Sequence, residues 1–388
     1  SLDANTTGDD NTAVGYNAVT ANTSGEDNVG IGIGALEANT TGQDNVAVGS
    51  GALATNTTAN ESTAVGHRCL LVSTGEKNTA VGALAMDANT TGVRNAAIGV
   101  DCLTANTTGS YNVAMMGLAS NTTASNNTAV GYAALTANTT GTNLVAVGYA
   151  AADANTTGNS LTAIGYNALG ANTTGGDNTG LGYSALLLNT TGQYNTAVGS
   201  AALDANTTAD NNTAVGYNAL TANTTGSENT AVGTSALIAN TTGANNAAFG
   251  STALDANTTA SHNTAFGNNA MSDNTTGAKN TAVGSNALDA NTTASDNTAV
   301  GYNSLGANTT GASNTAVGHS ALLNTTTGTR NTAIGRTALQ SNTTANDNTA
   351  VGYFAMYLNT TGALNTALGK DALYANTTGS SNTGLGYN

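Results

Sequence analysis

Apolar and polar residues follow one fixed order that recurs with a period of seventeen. In NTAVGYNALTANTTGSE, residues 212–228, a polar pair leads into Ala-Val-Gly, then a polar corner, an Ala-Leu pair and an Asn-Thr-Thr-Gly run. With the first Asn of NTAVG as position 1, units start at 11, 28, 45, 62, 78, 95, 112 and 127, and then at the same regular interval to 382. Twenty of the 22 complete units have the full period; 62–77 is one position short and 112–126 is two short. Short Thr, Ala and Val segments bounded by Gly predict strands of about five residues separated by turns. A helical hairpin is excluded because Gly at positions 5 and 15 would interrupt it. The expected fold is all-β: a parallel β-solenoid, or β-roll, with one turn per repeat and identical positions stacked in ladders.

On this reading residues 1–388 form a single continuous solenoid of about 23 repeat equivalents. At the ~4.7–4.9 Å strand spacing it makes a rod on the order of 110 Å long. The short units at 62–77 and 112–126 are expected to be irregular turns, kinks or ladder faults. The opening SLDANTTGDD and the closing NTGLGYN together complete one unit, as expected of one stretch of a longer array or of copies joined head to tail.

Position 4 is always large and apolar, and position 9 is nearly always Leu, with Met86, Met271 and Met356 as substitutes. Both read as core, represented by Val14, Val130, Val215 and Val232 at position 4 and by Leu220 and Leu237 at position 9. Position 3 admits only Ala or Gly in complete units. Strand alternation points it opposite to position 4, so Ala13, Ala129, Ala214 and Ala231 are expected to face outward, kept small by a closely packed second protomer. The variable polar positions 6, 7, 10, 16 and 17 face solvent.

Composition narrows the partners. Forty-eight Gly, no Trp and three Phe leave little for a large globular core, and the absence of Pro fits a chain whose backbone donors are all needed in ladders. A net charge of −15 opposes nucleic acid, and with no apolar run long enough to span a bilayer no direct membrane insertion is expected. Cys69 and Cys102 both occupy position 8, two turns apart with Ala85 between them. That separation, ~9.5 Å at the strand spacing, exceeds the reach of a disulfide; two small buried residues are expected.

NTT or NTS occurs 22 times from Asn5 to Asn376, and each instance is also a glycosylation sequon. Asn138, Asn155, Asn172, Asn206, Asn223 and Asn240 are therefore candidate glycan sites. Stacked Asn amides that bond to the copies above and below explain the near-invariance of position 12 without any sugar. Thr rows at positions 13 and 14 raise a third option, an ice-ordering face, though alternating T-x-T spacing is missing there. Tyr fills position 6 in the consecutive units of Tyr132, Tyr149, Tyr166 and Tyr183, a stripe that either stacks at a corner or binds sugars through its ring faces. His67, His262 and His319 lie at variable positions with no recurring partners, and the acidic residues at position 17 are replaced elsewhere by Lys, Arg, Leu and Tyr. Neither a triad nor a metal ladder follows. No cofactor motif is present, and the expected chain is not an enzyme.

NTAVGYNAL, with its Ala-Val/Ile-Gly core, resembles the repeats of trimeric autotransporter adhesin heads. The longer form of the repeat, with NTTG, is similar to arrays in phage tail-fibre and bacterial surface-fibre proteins. The resemblance covers essentially the whole chain. It implies a left-handed β-roll, Val215 and Val232 turned inward, Ala214 and Ala231 packed between protomers, and assembly as a trimer or an end-to-end filament. The expected function is a structural subunit of an extracellular or cell-surface fibre, or of a virion fibre. Its partners are copies of itself and, as the alternative, surface glycans or ice bound by an adhesin or tail-fibre module.

Overall fold

The structure is a computed structural model that describes residues 1–387. It is all-β, with parallel strands, one turn per repeat and no helix among the described residues. The chain divides into two compact units, one of residues 1–193 and one beginning at Tyr194. The first holds strands β1 (Thr12–Val14) to β11 (Thr179–Leu181), and the second β12 (Thr196–Val198) to β23 (Thr383–Leu385).

Each strand has three residues, positions 2 to 4, rather than the five expected. Gly at position 5 ends it, because that residue stands at φ +140 in Gly216 and at similar values elsewhere, a backbone that L side chains rarely adopt. Neighbouring strands pair in strict register. In β13 (Thr213–Val215) and β14 (Thr230–Val232), Thr213 faces Thr230, Ala214 faces Ala231 and Val215 faces Val232. Between strands the ladder continues through turns: Leu220 N–H donates to the Ala236 carbonyl at 3.0 Å and Ala222 N–H to Ile238 at 3.1 Å. Each corner also needs left-handed backbone at non-Gly residues, as in Asn218, Leu220 and Glu228 at φ 56, 54 and 61. A Leu in that region is strained by roughly 1–2 kcal/mol, and the ladder hydrogen bonds on both sides hold it there.

The inside of the coil corrects the sequence reading. Ala129, Ala214 and Ala231 at position 3 are buried, and Ala13, in the terminal turn, is half-buried. The position-4 side chains Val14, Val130, Val215 and Val232 point outward; Val14 is 58% exposed, and no position-4 residue in any strand is buried. The physical reason is the narrowness of the coil. Leu220, Leu237 and their equivalents at position 9 are buried as expected, and they fill the interior opposite position 3. A Cβ added at Gly30 would lie 2.5 Å from Val19 Cγ2, and one at Gly180 would lie 3.4 Å from Leu169 Cγ. Position 3 is therefore small because position 9 of the preceding turn presses on it from within, and no outer protomer is required.

Candidate functional site

Asn residues line the inner wall opposite the strand. Asn155 Nδ2 donates to Asn138 Oδ1 at 3.0 Å and to the Gly158 carbonyl at 3.1 Å, while Asn155 Oδ1 accepts from Asn172 Nδ2 at 3.0 Å. The same pattern joins Asn223 to Asn206 and Asn240 to Asn223. The candidate glycan sites Asn138, Asn155, Asn172, Asn206, Asn223 and Asn240 are all fully buried. Their amides hold the fold together, and the folded coil leaves no route for a glycan on them. Where the ladder residue changes, a hydroxyl takes over: Asn89 Nδ2 donates to Ser73 Oγ at 3.1 Å and Asn342 Nδ2 to Thr325 Oγ1 at 3.3 Å.

A second Asn ladder runs at position 1, where Asn229 N–H donates to Asn212 Oδ1 at 3.0 Å and Asn229 Nδ2 to the Gly243 carbonyl at 2.8 Å. The signal for it was present in the near-invariance of position 1, broken only by Ser62, Leu144 and Leu161 in complete units. Position-13 hydroxyls are also committed to the fold, as Thr224 Oγ1 donates to the Thr241 carbonyl at 3.1 Å. That leaves position 14 as the exposed Thr row on this face.

The outer face of the strands carries two rows, Thr or a small apolar residue at position 2 and a large apolar residue at position 4. None of these residues is charged in any strand, in a chain of net charge −15. Phe249 and Phe266 extend the position-4 row with ring centroids 5.5 Å apart. Within each unit an apolar row of this kind, exposed to half-buried at every turn, departs from the scattered single hydrophobes normal on soluble surfaces.

The structure stacks the Tyr stripe as one of the two sequence readings has it. Centroids of Tyr132, Tyr149, Tyr166 and Tyr183 are 5.6, 5.2 and 5.3 Å apart in order, with interplanar angles of 20°, 9° and 8°. Stacking covers both faces of Tyr149 and Tyr166, so their faces are closed to a sugar. A further aromatic group lay unremarked in the sequence: Phe354 meets Tyr357 and Tyr374 edge-on at 4.8 and 6.0 Å, beside a cavity of about 370 Å³ lined also by Lys370 and Asp371. Phe354 at position 7 and Tyr357 at position 10 replace the usual small or polar residues, which is the signal that marks the group.

Titratable groups are dispersed. Burial raises the carboxyls of Asp153, Asp204 and Asp255 above the ordinary range, and each stands on a separate turn. Among the described residues no three His, Cys, Asp or Glu side chains are grouped to hold a metal ion. Cys69 and Cys102 are buried and unpaired with each other, and burial pushes the Cys69 thiol up to about 12. Relative to an ordinary thiol near 8.5, that lowers the thiolate fraction at pH 8 by roughly a thousandfold. Thiol labelling at pH 8 is therefore expected to be negligible in the folded chain and rapid in denaturant; fast labelling of native Cys69 would contradict its burial.

Compared with known protein families and with curated proteins, the chain matches none.

Proposed function

We propose that this chain is a structural subunit of an extracellular or cell-surface fibre, built by templated stacking of coils and associating laterally with copies of itself. The observation that carries the reading is the uncharged outer face of the strands, on which every large apolar side chain at position 4 is exposed or half-buried and none is buried. Every turn repeats the same two outward residues, so two copies laid face to face meet like surfaces along the whole contact. Covering a fully exposed Val contributes about 1.5–3 kcal/mol; the position-4 side chains start exposed or half-buried, so each adds part of that, and summed over the strands they supply the burial that the small Ala-Leu interior lacks. The interface thus lies on the Thr/Val rows, not on the Ala row. Nothing in this arrangement calls for catalysis, and the acidic remainder of the surface keeps assemblies from sticking to polyanions. The resemblance to surface-fibre and tail-fibre arrays supports the same reading.

Val215→Glu with Val232→Glu tests it. Both positions are outward, so the coil is expected to keep its circular dichroism spectrum. Burying the new carboxylates in an interface would cost several kcal/mol, and at about 1.4 kcal/mol per tenfold association should weaken more than a hundredfold. Sedimentation velocity should show wild-type oligomers at micromolar concentration and monomers of the variant. A monomeric wild-type chain, or unaltered assembly of the variant, would remove the proposal.

A second reading, a carbohydrate-binding module, draws on the exposed Tyr132 to Tyr183 stripe. Closure of the inner ring faces limits it to the ends of the stack.

A further inference from the structure

The unit at 112–126, two residues short, is shortened at one defined place. Met116 N–H donates to the Ile98 carbonyl at 3.1 Å, which is the bond made by position 5 of a regular turn, and Leu118 N–H donates to Ala134 at 3.0 Å, the bond made by position 9. Gly117 therefore stands at position 8, and the residues deleted are those of positions 6 and 7, the outer corner. In a regular turn the position-7 N–H donates to the position-6 carbonyl of the turn before, as Asn218 does to Ser200 at 3.1 Å and Ser235 to Tyr217 at 2.9 Å. Around the shortened corner both halves of that exchange are orphaned. Among the described residues no donor reaches the Val100 carbonyl and no acceptor takes the Ala133 N–H.

The space left is a cavity of about 220 Å³ lined by Val100, Asp101, Met116, Tyr132, Ala133 and Thr136, among others. It is smaller than the ~300–1,000 Å³ of drug-sized pockets, which suits a single ring. Tyr132 opens the Tyr stack and is covered by Tyr149 on one face only, so its other face is turned to the turn that has lost its corner. Deleting the corner has removed one peptide group, the carbonyl of position 6 joined to the N–H of position 7, together with the side chain that would stack on Tyr132.

We infer that this notch binds an N-acetylated amino sugar of a glycan, its acetamide replacing the lost peptide group and its ring lying on Tyr132. A trans secondary amide points its N–H and C=O in opposite directions, as donation to Val100 and acceptance from Ala133 require. A lactam or nucleobase, whose donor and acceptor share one edge, does not bridge the two. The free face of Tyr132 accepts the flat C–H face of a pyranose. Asp101 and Thr136, which also line the cavity, supply a carboxylate and a hydroxyl for ring hydroxyls. A peptide also carries trans amides, but it would have to be ordered on both sides of the single amide that fits, at a cost in entropy. The site depends on the shortened turn alone and stands whether or not the chain assembles laterally.

Calorimetric titration of the full chain with tri-N-acetylchitotriose, against cellotriose as the sugar without acetamides, tests the assignment. One site per chain is expected, with at least tenfold preference for the acetamido sugar. Tyr132→Ala should weaken it at least tenfold. Met116→Gly with Tyr-Asn inserted after it, which restores a turn of regular length, should abolish binding while keeping the circular dichroism spectrum. Equal affinity for the two sugars, no binding of either, or full binding by the restored turn would overturn the proposal. So would binding of N-acetyl-tyrosine amide where the sugar stays silent, since that outcome assigns the notch to peptides.

Discussion

Replacing Asn155 by Leu is expected to open the coil locally and cost on the order of 3–6 kcal/mol, the sum over the buried polar groups it leaves unsatisfied. The two side chains branch alike, but Leu is the bulkier, so overpacking of the buried site adds to the loss of the amide. Asn155 takes part in three hydrogen bonds, to Asn138, to Gly158 and from Asn172, all buried. With Leu there, Asn138 Oδ1 and the Gly158 carbonyl lose donors, and Asn172 Nδ2 keeps only its 3.0 Å bond to Gly175. Each buried polar group left unsatisfied costs about 1–3 kcal/mol. Repeat arrays lose two-state cooperativity as they lengthen, so the readout is amide exchange resolved by turn. Protection should fall across 138–175 and persist in distant turns. A loss below ~1 kcal/mol, judged against the unfolding cost of an unsatisfied amide, would mean that the ladder decorates the fold without holding it. Asn155→Ser is the milder companion, because Ser73 already accepts from Asn89 in this ladder.

Gly216→Ala should be comparably damaging for a steric reason. Gly216 stands at φ +140, and a Cβ there would lie 2.4 Å from the Gly233 carbonyl oxygen and 2.7 Å from its carbon. Both are backbone atoms held by the next turn, so neither can yield without breaking the ladder. A cost of roughly 3 kcal/mol or more follows, from a forbidden backbone together with the clash. Gly51→Ala is the control: at φ +70 its nearest contact is Arg68 Cγ at 3.5 Å, and Ala133, Ala150 and Ala201 already occupy the equivalent position. It should change stability by less than about 1 kcal/mol. The measurement is the urea midpoint of each variant with turn-resolved exchange. Equal effects of the two substitutions would show that the corner glycines are interchangeable, contrary to their geometry.

The sequence alone determined the period, the parallel stacking, the buried position-9 ladder of Leu220 and Leu237 and the Asn ladder at position 12. Each follows from residue type recurring at one spacing, since only an apolar or an amide-bonding environment keeps a position unchanged through so many turns. It also located the two short units. Which way each strand residue points was decided by the tertiary structure. Alternation places positions 3 and 4 on opposite sides but does not say which side is inside. Smallness at Ala214 has two physical causes, pressure from within or from without, and only the packing of position 9 against position 3 distinguishes them. Strand length and the left-handed backbone at residues such as Leu220 were hidden for a similar reason, because a Leu carries no mark of its φ. The notch beside Tyr132 is a property of neighbouring turns. The missing residues are visible in the sequence, whereas the orphaned Val100 carbonyl and Ala133 N–H appear only when the turns on either side are stacked in register.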